Sequence, residues 1–212
     1  MTKKILPLLL VWGLIVFVWS GYRYFFRNPE WLEEIIFKPL VFIVPVIMFT
    51  HFRTRDSQVL LGTGKNWNLI FKWGVLFGLL LVGESLLIWF LKGKTIDIYK
   101  FSLPFVGLQL IISLSTAFSE EILYRGFLLE RMDKIFKSHI LNNIIVAVLF
   151  SAAHLMMGIA ILNYRGQELV SYQWLMFILG FANGFIYQET RSTVASTITH
   201  TLWNFSNTFF II

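Results

Sequence analysis

Long runs of apolar residues, separated by short polar connections, extend along the whole chain. A helix needs roughly 20 apolar residues to cross about 30 Å of hydrocarbon, and isolated strands leave their backbone polar groups unpaired in lipid. The pattern therefore predicts an all-α fold, a polytopic transmembrane helical bundle of about seven spans. The predicted spans are residues 5–22, 35–51, 69–91, 102–123, 142–162, 171–189 and 192–212.

The two N-terminal runs differ from simple spans. Residues 5–19 follow a short basic N-terminus, as in a signal peptide, but no small-x-small cleavage site follows them, so we expect an uncleaved first span. The second run, 35–51, is short and contains Pro39 and Pro45. Because proline removes a helical hydrogen bond, we expect this helix to be kinked or only partly inserted.

No linker, repeat or low-complexity stretch divides the chain, so we expect one integrated membrane domain. Within it, residues 1–101 predict N-terminal transmembrane helices, whereas residues 102–212 carry the candidate chemistry and predict a catalytic helical core. Basic loop residues favour a cytoplasmic N-terminus weakly, by nine on that side against seven on the other. Lys38 is assigned to a loop on the opposite side.

The composition indicates that the bilayer, not water, is the main solvent of the chain. Of 212 residues, 57% are hydrophobic and 14% are charged, whereas soluble domains carry about 25% charged residues. The net charge of +6 is distributed over short loops, where it meets anionic lipid headgroups and offers no soluble basic face for nucleic acid. The absence of cysteine excludes disulfides and a thiolate nucleophile or ligand.

Ionisable and amide side chains inside the predicted spans are functional candidates, because each charge costs about 2.5–3.5 kcal/mol at the centre of a span. The candidates that cluster are Glu120, Glu121 and Arg125 at the end of the fourth span, His154 in the fifth, and His200 and Asn204 in the last. Counted at about 1.5 Å per residue, Glu120, His154, His200 and Asn204 lie at one level, about 13–20 Å from one membrane face. The sequence therefore predicts that three helices bring them around one pocket near the midplane.

Four of these side chains are of the types that hydrolysis of a peptide bond requires. Glu120 with His154 can bind and deprotonate a water molecule. His200 and Asn204, which are four residues apart, can donate hydrogen bonds to the oxyanion that develops on the peptide carbonyl. This set predicts a hydrolase that uses an activated water.

The other two candidates have a supporting role. Glu121 and Arg125 are four residues apart and share a helix face, so we expect Arg125 to pair with Glu121. The pairing would offset the local negative charge and leave Glu120 as the freer carboxylate.

Metal assistance is an open alternative at this stage. Glu120, His154 and His200 match the ligand count of a catalytic zinc that keeps one open position. The H-E-x-x-H spacing that would indicate zinc strongly is absent.

Taken in chain order, these residues resemble the CPBP family (CAAX protease and bacteriocin-processing, or Abi) of intramembrane proteases, which includes the type II CAAX prenyl endopeptidases. The family pattern is E-E-x-x-x-R, then F-x-x-x-H, then H-x-x-x-N or D. Every position is matched, by Glu120, Glu121 and Arg125, by Phe150 and His154, and by His200 and Asn204. The resemblance covers residues 102–212 and implies a water activated by glutamate and histidine, with the final histidine and asparagine at the oxyanion. The family has also been read as metalloproteases.

The resemblance further implies a multi-pass protein of a bacterial cell membrane, whose peptide or protein substrate enters from the bilayer. Two other functions stay open. A non-catalytic scaffold or bacteriocin immunity protein would use the fourth-span charges as a structural ion cluster, although two carboxylates with one arginine leave an excess charge. A proton-coupled transporter would use the carboxylates as a relay, but its usual repeated halves are not visible.

Overall fold

The computed structural model describes residues 2–54 and 60–209. In these residues seven helices follow one another along the chain. They are α1 (Thr2–Phe25), α2 (Glu30–Arg53), α3 (Trp67–Leu91), α4 (Leu103–Ile135), α5 (His139–Ile161), α6 (Gly166–Thr190) and α7 (Thr193–Asn207). Six of them, α1 to α6, are long and apolar enough to cross a membrane. The predicted all-α membrane bundle is confirmed. Its seventh predicted span corresponds to α7, and residues 210–212 lie outside the described residues.

The last helix, α7, is in contact with α3, α4 and α6. Its buried face consists largely of small hydroxyl and alanine residues, which let neighbouring backbones approach closely. Thr199 donates to the carbonyl oxygen of Gly74 on α3 at 2.9 Å, and a Cβ on Gly74 would lie only 2.9 Å from the Ala195 carbonyl oxygen. The small residues of α7 therefore bring its polar side chains deep into the bundle.

Helix α4 is longer than the predicted span 102–123. It continues through π-helical turns at Ile122–Leu129 and ends at Ile135. A span predicted from hydropathy ends before the charged residues of this last part. These charges, however, have partners in the bundle. For example, the Tyr187 hydroxyl donates to Glu130 at 2.8 Å. Paired charges no longer carry the cost that ends a span.

Helix α2 also exceeds its prediction, because it begins at Glu30 and not at residue 35. A wider π-helical turn at Glu33–Phe37 precedes Pro39, where the proline ring would crowd the carbonyl of a regular turn. The charge count treats Lys38 as a loop residue although it falls inside the predicted span 35–51, and that loop assignment is wrong, since Lys38 lies within α2 and is only 5% exposed. Burial is tolerated because carboxylates from two helices surround its ammonium group.

Gly126 on α4 lies against the backbone of Leu60, in the segment that follows α2. A Cβ on Gly126 would overlap the backbone carbonyl of Leu60, which no rotamer change can relieve. Gly126→Ala is therefore expected to destabilise the protein by about 1–3 kcal/mol, measured by denaturant titration in mixed micelles. Gly107→Ala on the same helix is the control, because open space surrounds Gly107 and alanine favours helix by up to about 1 kcal/mol. Equal effects of the two changes would contradict the close approach.

Candidate active site

A cavity of about 300 Å³ lies between the helices and has a polar wall and an apolar wall. Four of the six predicted site residues, Glu120, His154, His200 and Asn204, line it. They come from α4, α5 and α7, so three separate helices meet at one place. The apolar wall includes Val16, Phe42, Met156, Met157, Met176 and Leu179.

One carboxylate oxygen of Glu120 faces both imidazoles. Glu120 Oε2 lies 4.0 Å from His154 Nε2 and 3.8 Å from His200 Nε2. This oxygen is buried and accepts no hydrogen bond from any residue that the structure describes. The gaps exceed a direct hydrogen bond of about 3 Å, but one water oxygen can bridge each of them.

Hydrogen bonds on the opposite nitrogens hold the two imidazoles. His154 Nδ1 lies 2.8 Å from the Phe150 carbonyl oxygen, and His200 Nδ1 lies 2.9 Å from Glu121 Oε1. Carbonyl and carboxylate oxygens can only accept, so Nδ1 of each ring carries the proton. In the neutral rings Nε2 is then an acceptor. The two Nε2 atoms and Glu120 Oε2 therefore form a group of three acceptor atoms.

Glu121 and Arg125 lie outside the cavity lining and are fully buried behind His200. The expected pair is present, since Arg125 donates to Glu121 Oε1 at 2.9 Å and to the Gly180 carbonyl oxygen at 2.6 Å. Asn183 donates to the same carboxylate oxygen at 3.1 Å. Glu121 therefore connects an arginine, an amide and the Nδ1 side of His200, which fixes the orientation of that imidazole.

Lys38 joins the site although the sequence pattern assigns it to a loop. Its Nζ lies 2.7 Å from Glu120 Oε1 and 2.9 Å from Glu34 Oε2. Glu120 has fewer partners than Glu121, which accepts from three donors, but it is not without one: one of its oxygens binds an ammonium group and the other faces the imidazoles. A signal is present in the sequence, because Glu34 and Lys38 are four residues apart inside an apolar run. That spacing does not reveal the partner on α4.

Charged side chains continue from Lys38 on α2 to Arg23 near the end of α1. We call Lys38, Glu34 and Arg23 together the charged wall. Glu34 accepts hydrogen bonds from Arg23 at 3.3 Å and from the Thr116 hydroxyl at 2.7 Å. Arg23 also pairs with Glu33. Side chains of α1 and α2 therefore reach the carboxylate of Glu120 through alternating charges.

The comparison with protein families adds to this geometry. Residues 102–206, about half of the chain, match the family model described as type II CAAX prenyl endopeptidase Rce1-like. The chain belongs to the CAAX protease (CPBP) family. No curated protein and no solved structure matches the chain significantly. As a CAAX protease family member with several apolar helices, the protein is a multi-pass membrane protease.

The matched segment of this CAAX protease contains all six predicted site residues, whereas Lys38, Glu34 and Arg23 precede it. The motif residues therefore lie in the family segment, and the charged wall that contacts Glu120 comes from the N-terminal helices.

The donor set of the CAAX protease does not fit the zinc alternative. In residues 2–54 and 60–209, no group of three or more histidine, aspartate or glutamate side chains is arranged to hold a metal ion. Ligands of a tetrahedral zinc lie about 3.3 Å apart, whereas Glu120 Oε2 is 4.0 Å and 3.8 Å from the Nε2 atoms of His154 and His200. Lys38 already supplies a positive charge to Glu120.

Proposed function

We propose that the protein is an intramembrane endopeptidase that cleaves peptide bonds with a water molecule activated by Glu120 and two histidines. The observation that carries the proposal is the buried Glu120 Oε2, which has no hydrogen-bond donor among the described residues and faces His154 and His200 Nε2 at 4.0 and 3.8 Å. A water at this point can donate one hydrogen to the carboxylate and the other to an imidazole. A lone pair of its oxygen is then free to attack a bound substrate.

The proposed reaction transfers one proton through Glu120. The water oxygen bonds to the peptide carbonyl carbon while one of its protons passes to Glu120 Oε2. The tetrahedral intermediate then loses its C–N bond, and the proton on Glu120 moves to the leaving amine. The products are a carboxylic acid and an amine, and the glutamate regains its starting charge.

The oxyanion is assigned to Asn204. The sequence pattern pairs His200 with Asn204 in this role, but His200 Nδ1 donates to Glu121, so its neutral ring has no proton on Nε2. We therefore assign His200 to the water. The Asn204 side chain lines the cavity and makes no hydrogen bond to another residue in the described part of the chain. Its amide is available to donate to the developing oxyanion.

Asn204→Ala is expected to lower kcat by about 10²–10³ with little change in KM, because an oxyanion donor acts mainly in the transition state. Steady-state kinetics on purified protein measure both constants. Asn207→Ala on the same helix is the matched control, since Asn207 bonds to Trp89 and Ser85 and does not line the cavity. An equal fall in kcat for both variants would remove Asn204 from the reaction.

The proposed substrate is a peptide or protein segment that reaches the cavity from the bilayer. The matched family is described as type II CAAX prenyl endopeptidase Rce1-like, and the apolar wall of the cavity is compatible with an apolar or lipid-modified segment. A farnesylated peptide that ends in a CAAX sequence is therefore a suitable first probe.

The function is tested by comparing the membrane peptides and new protein N-termini of cells that express the wild-type chain or Glu120→Gln. Fragments that appear only with the wild type identify the bond that is cut. Purified protein and the farnesylated CAAX peptide give the same test in detergent. Identical fragment sets, together with no cleavage by the purified wild type, would contradict the protease.

A further inference from the structure

We propose that Lys38 is a positioning residue of this site and that the N-terminal helices complete it. Lys38, held by Glu34, whose carboxylate also binds Arg23, fixes the carboxylate of Glu120 so that Oε2 faces the two imidazoles. The inference rests on the proposed function and deepens it, because it extends the catalytic unit beyond the family segment at residues 102–206.

The orientation of Glu120 depends on Lys38. The ammonium group lies 2.7 Å from Glu120 Oε1, and no other described side chain lies within hydrogen-bond distance of this carboxylate. Anchoring one oxygen fixes the rotation of the carboxylate plane and so the place of the other oxygen. Lys38 also supplies the positive charge that an ionised carboxylate needs when it is buried.

Lys38 is itself held on several sides. Its Nζ lies 2.9 Å from Glu34 Oε2 and over the rings of Trp19 and Phe42, 5.6 and 5.7 Å from their centroids. Glu34 is fixed in turn by Thr116 on α4. A long, flexible side chain held by a carboxylate and two rings can place its charge to within a fraction of an ångström, which a positioning role requires.

A merely structural role for Lys38 makes a different prediction. The pair of Lys38 with Glu120 joins α2 to α4, but Ser115 and Thr116 on α4 also donate to Glu34 on α2, at 2.8 and 2.7 Å. If Lys38 only joins helices, its loss lowers stability and leaves the turnover of the folded protein unchanged. If it positions Glu120, turnover falls in protein that is still folded.

The test compares Lys38→Met and Lys38→Arg in the full chain, purified in detergent. The probe is the farnesylated CAAX peptide or a fluorogenic peptide built on the bond that the cellular comparison identifies. Lys38→Met is expected to lower kcat roughly 100-fold with KM changed less than about threefold, as misplacement of a reacting group does. Lys38→Arg restores a cation and is expected to recover at least a tenth of wild-type kcat.

Lys92→Met is the matched control, because it removes an exposed lysine at the end of α3. Wild-type kcat in Lys38→Met would overturn the inference while leaving the protease intact, whereas the absence of cleavage by wild type would contradict both. If Lys38→Met does not fold, Glu34→Gln replaces it, since this change weakens the hold on Lys38 and keeps the Lys38–Glu120 pair. A severalfold fall in kcat is then expected, and an unchanged kcat would overturn the inference.

Discussion

Glu120→Gln is expected to lower kcat about 10⁴-fold while the protein still folds, because the variant keeps the shape of the side chain and loses the base. The amide can still accept a hydrogen bond from Lys38 through its oxygen, and Lys38 keeps its second carboxylate partner, Glu34. The loss of one carboxylate therefore leaves no isolated buried charge. We expect a large kinetic effect and a small effect on stability.

Single-turnover cleavage of the probe peptide measures the kinetic loss, and denaturant titration in mixed micelles measures the stability of the same preparation. Glu84→Gln is the matched control. Glu84 is a partly buried carboxylate on α3 that does not line the cavity. Cleavage by Glu120→Gln at the rate of the Glu84 control would assign the base to another group.

The convergence of Glu120, His154 and His200 could be anticipated because it depends on few quantities. Alternating spans place residues at similar depths when they are counted from the same membrane face, and the rise per residue of a helix is constant. Polar groups inside spans also turn inward, since lipid cannot solvate them. The sequence therefore predicts which polar groups can meet, and the distances in the structure agree with that expectation.

The part played by Lys38 could not be predicted in the same way. Hydropathy assigns a cost to each charge separately, so a lysine near the start of an apolar run is placed in a loop. The cost falls only when partners are present, and those of Lys38 are Glu34 on its own helix and Glu120 more than eighty residues later. Only the packing of α2 against α4 reveals that the three charges are one group.

Sequence patterns also do not predict the π-helical turns. In α4, the turns at Ile122–Leu129 contain Arg125 and are followed by regular helix up to Ile135. A π turn differs from an α turn by one residue per hydrogen-bonded ring, so it changes which side chains face the neighbours. Periodicity at 3.6 residues cannot place the side chains beyond such a turn.

Arg125→Met is expected to destabilise the protein by about 3–5 kcal/mol, the largest stability effect in the site. The change removes the guanidinium from Glu121, whose carboxylate is fully buried, and leaves an uncompensated charge. It also removes the hydrogen bond from Arg125 to the Gly180 carbonyl oxygen. Denaturant titration in mixed micelles measures the loss, with Lys92→Met as the control for removal of an exposed cation.

Addition of Glu121→Gln to Arg125→Met tests whether charge is the cause. The glutamine can still accept hydrogen bonds from Asn183 and His200, but it carries no charge, so at least half of the lost stability should return. If the double variant is no more stable than Arg125→Met, packing and not charge explains the loss.

If Glu120→Gln loses as much stability as Arg125→Met and Lys38→Met keeps wild-type turnover, the whole cluster behaves as a structural ion cluster. Because an oxygen of Glu120 faces two imidazoles in the cavity, whereas Glu121 lies outside the cavity lining and is bound by three donors, we expect the two carboxylates to separate into a kinetic and a structural effect.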